Sequence, residues 1–114
     1  MDERGEFLDR CPSYQATIEL VGRRWNGAVI LAADRGARRY SDFLAAIPGI
    51  SERLLAQRLR ELEDEGIMVR EVVASRPVQV VYTLSARGSE LVSALEPLIS
   101  WGERWMSVRQ KGKR

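Results

Sequence analysis

Residues 51–66 constrain the fold more than any other part of this sequence. Four leucines, at positions 54, 55, 59 and 62, fall on one arc of a helical wheel, which predicts an amphipathic helix with that arc buried. Ser51 is a favourable N-cap for this helix, and Gly66 is a favourable residue at its C-terminal end. One amphipathic helix cannot bury its own apolar face, so the rest of the chain must supply a core for it.

A shorter helix is predicted directly upstream of this one. Ser41 is its expected N-cap, and its apolar residues are at positions 43, 44 and 47. Pro48 cannot continue that helix, and Gly49 tolerates the backbone angles of a sharp turn. Residues 41–66 are therefore predicted to form a helix-turn-helix.

Two helices are predicted before this unit, and a hairpin and a long helix after it. Residues 12–22 and 25–36 show helical apolar spacing. Residues 67–74 and 78–84 are rich in valine and flank a short turn, which predicts an antiparallel hairpin. Ser85 is the expected cap of a C-terminal helix, in which Pro97 should introduce a kink or begin a new helix.

This order of elements predicts the fold class α+β, mainly α. It is the order of a winged helix-turn-helix, here with a two- or three-stranded β-wing and a C-terminal dimerisation helix. We expect one domain, residues 11–106. Residues 1–10 are an expected N-terminal arm, and residues 107–114 an expected basic tail.

Positive charge is concentrated in the first half of the expected domain. The chain as a whole carries a formal charge of +2, but residues 23–60 hold eight arginines and three acids, a balance of +5. A local basic block of this kind is typical of a surface that faces nucleic-acid phosphates, although a solvated arginine-rich face would give the same count. Four acids follow within residues 61–65, and this end should point away from DNA.

The outward face of the helix in residues 51–66 carries the side chains that base recognition requires. Arginine can donate two hydrogen bonds to guanine, glutamine can pair with adenine, and a small alanine permits close approach. Arg58 falls on the apolar side, where a structural ion pair is expected. The predicted base contacts are Arg53, Ala56, Gln57 and Arg60.

Phosphate contacts are expected beside these residues. A capping serine and the free N–H groups of a first helical turn can bind a phosphate. At the hairpin tip, Arg76 is predicted to enter the minor groove as a wing contact. Each arginine could instead be plain solvated surface. The predicted phosphate contacts are Arg38, Arg39, Ser41 and Ser51.

The C-terminal helix carries an apolar stripe with a seven-residue spacing, which favours a dimer interface. Its tryptophans could alternatively line a ligand pocket. The predicted interface residues are Leu91, Leu95, Leu98, Trp101 and Trp105.

Composition disfavours several other classes of protein. The chain has no His and one Cys, so the usual general bases and metal ligands are scarce, and we expect neither an enzyme nor a cofactor. No apolar run reaches the roughly 20 residues that span a bilayer. The acidic, polar start is unlike an export signal, so a cytoplasmic location is expected.

The sequence resembles the HxlR family of winged-helix regulators over residues 11–105. The motifs that carry the resemblance are the N-terminal CP, GRRW (22–25), RRYSDFL (38–44), PGIS (48–51), LLAQRLRELEDEGI (54–67), VYTLSARG (81–88) and WGERW (101–105). The resemblance implies a homodimer formed by the first and last helices, bound to an inverted repeat in a promoter. Glu52 departs from the family, where Pro or a small residue is frequent, so the target sequence stays open.

In some members of that family, the cysteine corresponding to Cys11 senses oxidants or electrophiles. Arg10 and the helix start both favour the thiolate form here, although an unreactive, partly buried thiol is the alternative. The expected function is a sequence-specific transcriptional regulator of double-stranded DNA, with repression preferred and a small-molecule or redox effector possible. The alternative is a winged-helix module that binds an acidic protein partner without sequence-specific DNA binding.

Overall fold

The computed structural model describes residues 11–106. The elements are α1 (Pro12–Gly22), α2 (Asn26–Asp34), α3 (Tyr40–Ala46), α4 (Glu52–Asp64), β1 (Met68–Val73), β2 (Gln79–Leu84) and α5 (Ala86–Trp105). This mainly helical arrangement with one two-stranded sheet confirms the predicted winged helix-turn-helix. The expected N-terminal arm and basic tail lie outside the described residues.

The core forms where the leucine face of α4 meets α2 and α3. Leu55, Leu59 and Leu62 are fully buried, as are Ile30 of α2 and Phe43 of α3. Each such side chain contributes about 1.5–3 kcal/mol through removal from water. Met68 and Tyr82 extend the same core under the hairpin. The predicted amphipathic helix is therefore confirmed, with its apolar arc inward.

The start of α3 differs from the prediction. The helix begins at Tyr40, so Ser41 lies in its first turn and is exposed rather than serving as the cap. Asp42 does the capping, because its Oδ2 accepts the backbone N–H groups of Arg38 and Arg39, each at 3.0 Å. These bonds hold the pKa of Asp42 below its ordinary value of 3.8. The carboxylate of Asp42 thus caps the N-terminus of α3 in place of the predicted Ser41 hydroxyl.

The two other predicted serine caps are confirmed. Ser51 Oγ accepts the backbone N–H of Leu54 at 3.1 Å, and Ser85 Oγ accepts that of Gly88 at 3.0 Å. Each bond satisfies one of the free N–H groups at a helix start. The first turns of α4 and α5 are therefore fixed locally.

The wing is an antiparallel hairpin with two strands. Arg70 lies opposite Tyr82 in its register, and Val72 lies opposite Val80. The backbone N–H of Tyr82 also donates to the Arg38 carbonyl at 2.7 Å. Of the two predicted alternatives, the structure therefore has the two-stranded wing, with one further hydrogen bond from the chain before α3.

Helix α5 continues through Pro97, so the expectation that a new helix begins there is wrong. Proline lacks the N–H that would bond the carbonyl four residues earlier, at Ser93. Both residues are exposed, so water can solvate that carbonyl. Among residues 11–106, no helix is both long enough and apolar enough to span a bilayer.

Gly88 is required by close packing between α5 and the end of the α4–β1 turn. A Cβ atom here would overlap the carbonyl oxygen of Ile67. We therefore expect Gly88→Ala to lower the free energy of unfolding by about 1–3 kcal/mol, measured from urea denaturation. Gly27→Ala is the control, because its nearest atom would be the Val21 carbonyl oxygen at 4.0 Å. That change should raise stability by about 0.5–1 kcal/mol. Equal effects at the two positions would contradict this assignment.

Candidate nucleic-acid interface

The outer side of α4 brings together the four predicted base-contact residues. Arg53, Gln57 and Arg60 are exposed and Ala56 is half-buried. All four line one shallow depression on the protein surface. The helical period that buries the leucines places these residues on the opposite side. Whether they touch DNA bases remains a prediction.

The first turn of α4 is accessible to solvent. Ser51, Glu52 and Arg53 are all exposed. The cap bond engages only the N–H of Leu54. The N–H groups earlier in the turn point out of the helix start, as an anion-binding first turn requires.

Arg58 lies on the opposite side of α4 and is structural, as predicted. It is 9% exposed. Its Nε donates to the Arg24 carbonyl at 2.9 Å, and its Nη1 contacts Glu61 Oε1 at 3.1 Å. Two partners compensate the burial of this charge. They also fasten α4 to the connection between α1 and α2.

Glu61 has two further contacts, and no sequence pattern indicated the one with Arg23. Its Oε2 lies 3.4 Å from Arg23 Nη2 and 3.4 Å from Gln57 Nε2. Gln57 is at the ordinary spacing of four residues on the same helix, whereas Arg23 comes from the end of α1. The carboxylate of Glu61 thus links a predicted base-contact residue to a distant part of the chain.

The two predicted phosphate-binding arginines before α3 have different surroundings. Arg38 Nη1 donates to the carbonyls of Ala33 and Ala37, at 3.0 and 2.8 Å. Its guanidinium therefore binds carbonyl groups at and just beyond the C-terminal end of α2. Arg39 is exposed, and its guanidinium has no ion-pair partner within residues 11–106. Arg39 is consequently the freer of the two to bind an anion.

A cationic region between α4 and the wing was missed by the sequence analysis. The rings of Tyr40 and Tyr82 lie 6.0 Å apart, centre to centre. Burial raises the pKa of Tyr40 and the Tyr82 hydroxyl raises it further, while nearby Arg70 and Arg60 act in the opposite direction. Arg70 is exposed on β1. Two-residue alternation in β1 could have indicated this residue, because it shares a sheet face with Tyr82.

The wing tip carries the remaining predicted DNA contact. Arg76 lies between β1 and β2 and is exposed, as expected of a hairpin tip. Val72 and Val78 near it are 55% and 64% exposed, so this end of the hairpin stands clear of the core. The positive charge of Arg76 is thus available to solvent or to a ligand.

The predicted dimer stripe of α5 divides into a half-buried and an exposed part. Leu91 and Leu95 pack partly against the core. Leu98, Trp101 and Trp105 are 56%, 49% and 66% exposed. On α1, Tyr14 and Ile18 are also exposed. The two terminal helices of the described region therefore present apolar side chains that this protomer leaves uncovered.

Cys11 lies at the N-cap position of α1, with Pro12 in the first turn of the helix. Its side chain is half-buried and forms no disulfide. No cluster of metal-ligating side chains is present in the portion of the chain that the structure describes.

Comparison with known proteins agrees with this geometry. Residues 20–110 match the family model described as HxlR-like helix-turn-helix. The transcriptional regulator YodB of Bacillus subtilis (strain 168) is 36% identical over 95 residues, which cover 83% of this chain and 85% of YodB.

Solved structures show the same relationship. The reduced form of YodB from B. subtilis superposes with a TM-score of 0.78 at 34% identity, covering 88% of this chain and 98% of that one. The redox regulator HypR in its oxidised form gives a TM-score of 0.77 at 34% identity, covering 86% and 100%. On this evidence the chain belongs to the HxlR-like helix-turn-helix family and is a DNA-binding transcriptional regulator.

Proposed function

We propose that this protein binds an inverted repeat in duplex DNA as a homodimer and represses transcription there. The outer face of α4 is the observation that supports this most directly, because a single exposed helix face carries two arginines and a glutamine around a small alanine. Such a face fits the major groove, which is wide enough for an α-helix and displays a distinct pattern for each base pair. A regulator of a prokaryotic chromosome would act in the cytoplasm.

Base recognition is assigned to this face. Arg53 is exposed in the first turn of α4 and is suited to a paired contact with guanine. Gln57 follows one turn later and is suited to adenine, and Arg60 completes the face. Ala56 leaves room for the base edge. The acids beyond Arg60 would be repelled by phosphates, so the N-terminal half of α4 should enter deepest.

Phosphate contacts are assigned to the residues around the groove. Ser51 and the first turn of α4 would bind one phosphate, and Arg39 and Ser41 would bind another, with Arg38 in a lesser role because two backbone carbonyls already occupy its Nη1. We add Arg70, which is exposed on strand β1 of the wing. Arg76 would contact the minor groove from the wing tip.

The dimer interface is assigned to α5 and α1. Leu98, Trp101 and Trp105 present a continuous apolar stripe at helical spacing, and these residues are 56%, 49% and 66% exposed. The same stripe of a second protomer would bury it, because a two-fold symmetric interface pairs the same surface patch of both subunits. Two protomers related in this way would place their α4 helices on successive half-sites about one helical turn apart.

A thiol switch at Cys11 is part of the proposal. Structures exist of YodB after diamide treatment and with a quinone bound, and of HypR in oxidised and reduced forms. In the present sequence Cys11 is the single cysteine, so a disulfide would have to join two chains or a chain and a small thiol. A quinone would instead add to the sulfur as a thioether.

Variants of two arginines test the division between base and phosphate contacts. The operator is first obtained by selection from random duplexes. Arg53→Ala should weaken operator binding by about 1–3 kcal/mol and remove preference at one base pair. Arg39→Ala should weaken operator and unrelated DNA equally and reduce the slope of log affinity against log salt by about 1. Affinity is measured by fluorescence anisotropy.

Equal losses on operator and unrelated DNA for both variants would contradict the assignment of Arg53. Failure of the folded wild-type protein to enrich any sequence would favour a protein-interaction module instead.

The proposed dimer is tested by placing charge in the α5 stripe. Leu98→Glu should leave the protomer folded, because that side chain is 56% exposed, but should shift the mass in sedimentation from dimer to monomer. Affinity for the inverted repeat should fall with it. Ser93→Glu on the other side of α5 should leave both properties unchanged. A Leu98→Glu protein that remains dimeric would rule out this stripe as the interface.

The thiol switch is tested with diamide and with a benzoquinone. Diamide should remove two hydrogens from two thiols and form a disulfide, which a non-reducing gel detects; the quinone should add its mass to Cys11. Either product should reduce operator binding. Cys11→Ser should bind the operator and resist both reagents. Full binding by the modified wild-type protein would refute a sensory role for Cys11.

A further inference from the structure

An acid on a DNA-facing helix needs a physical reason, because it repels phosphates. Glu61 lies one turn beyond Gln57 on α4 and is half-buried. Its carboxylate is neither free nor paired with a single cation. It accepts hydrogen bonds from Arg58 and Gln57 and forms an ion pair with Arg23, and Gln57 belongs to the proposed base-reading face.

The three contacts hold the carboxylate in one place. Oε1 lies 3.1 Å from Arg58 Nη1, and Oε2 lies 3.4 Å from Arg23 Nη2. Arg58 is itself immobilised, since it is buried and its Nε donates to the Arg24 carbonyl at 2.9 Å. The position of Glu61 is thus set from the α1–α2 connection and from the buried side of α4, and not by DNA.

Gln57 receives its orientation from this fixed carboxylate. Its Nε2 lies 3.4 Å from Glu61 Oε2. An ionised carboxylate only accepts hydrogen bonds, so it selects the –NH₂ end of the amide and repels the carbonyl end. The flipped amide, with Oε1 against Oε2, would bring two acceptors together. One rotational state of the amide is therefore favoured.

We propose that Glu61 is a positioning residue that determines base specificity through Gln57. With one N–H of Nε2 bound to Glu61, the second N–H and Oε1 remain as a donor and an acceptor side by side. That pair matches N7 and the N6 amino group of adenine in the major groove. The inference rests on the proposed role of Gln57 in base contact.

Removal of Glu61 should have two opposite effects on DNA binding. Affinity for unrelated DNA should rise, because a negative charge near the phosphates is lost. Preference for one base pair in each half-site should fall by about three- to tenfold, the usual weight of one hydrogen bond. A merely structural role would not single out one base pair.

The experiment measures binding of the full chain to the selected operator and to duplexes carrying each alternative base pair at every half-site position. The variants are Gln57→Ala, Glu61→Ala and the double variant. Asp64→Ala is the control, since it removes the same charge one turn further along α4. Glu61→Gln is included because its amide can face Gln57 with either end, which should also abolish the selection. Thermal unfolding of each variant confirms folding.

We expect Gln57→Ala and Glu61→Ala to lose preference at the same base pair, and the double variant to lose no more than Gln57→Ala alone. Glu61→Gln should behave as Glu61→Ala, and Asp64→Ala should keep the preference. If Gln57→Ala loses preference but both Glu61 variants keep it, the positioning role is wrong and the proposed function stands. If Gln57→Ala changes no base preference, the assignment of Gln57 fails, and the inference fails with it.

Discussion

Burial of the α4 leucines against α2 and α3 is the interaction on which the rest of the structure depends. Leu55, Leu59 and Leu62 have no exposed surface, and each would cost about 2–5 kcal/mol if truncated to alanine. A rotation of α4 by one residue would bring charged groups into that core. The apolar contact thus determines which residues face outward, so the geometry of the proposed DNA interface is a consequence of core packing.

The buried guanidinium of Arg58 adds hydrogen bonds that hold α4 in place beside this apolar contact. A buried charge is tolerated only when its hydrogen-bonding groups find partners. Here the partners are the Arg24 carbonyl and Glu61.

Trp25, which follows Arg24 in the chain, has a φ of 77°, which is unfavourable for a bulky side chain. The guanidinium of Arg24 lies 5.3 Å from the centre of the Trp25 ring, and a Cβ atom at Gly49 would lie 3.6 Å from Cη2 of that ring. Such a backbone persists only where its surroundings hold it.

Local patterns were sufficient to predict the elements, the inward face of α4, the wing and two serine caps. Each of these follows from residues within a few positions of one another. The errors and omissions have a different origin. Asp42 replaces Ser41 as the cap, although both lie in the same turn, because a carboxylate at the third position reaches two N–H groups. Contacts between residues distant in sequence, such as that of Arg23 with Glu61, produce no periodic pattern and could not be predicted from the sequence.

The same distinction explains which site residues could be anticipated. Arg53, Ala56, Gln57 and Arg60 share a face through the helical period alone. Arg70 approaches Tyr40 only because the hairpin register places it opposite Tyr82, whose backbone bonds the chain before α3. Arg38 looked like a free cation, but the end of α2 takes up its Nη1. Charge can be counted from a sequence, whereas its availability depends on tertiary contacts.

Helix α1 joins the proposed sensor to the proposed reading face by a short physical route. Cys11 lies at its N-cap and Arg23 at its C-cap, so a helix of 11 residues separates them. Arg23 contacts Glu61, and Glu61 contacts Gln57. A contiguous chain of contacts thus connects the proposed sensor with Gln57, and coupling between the two would in addition require that α1 have two alternative positions.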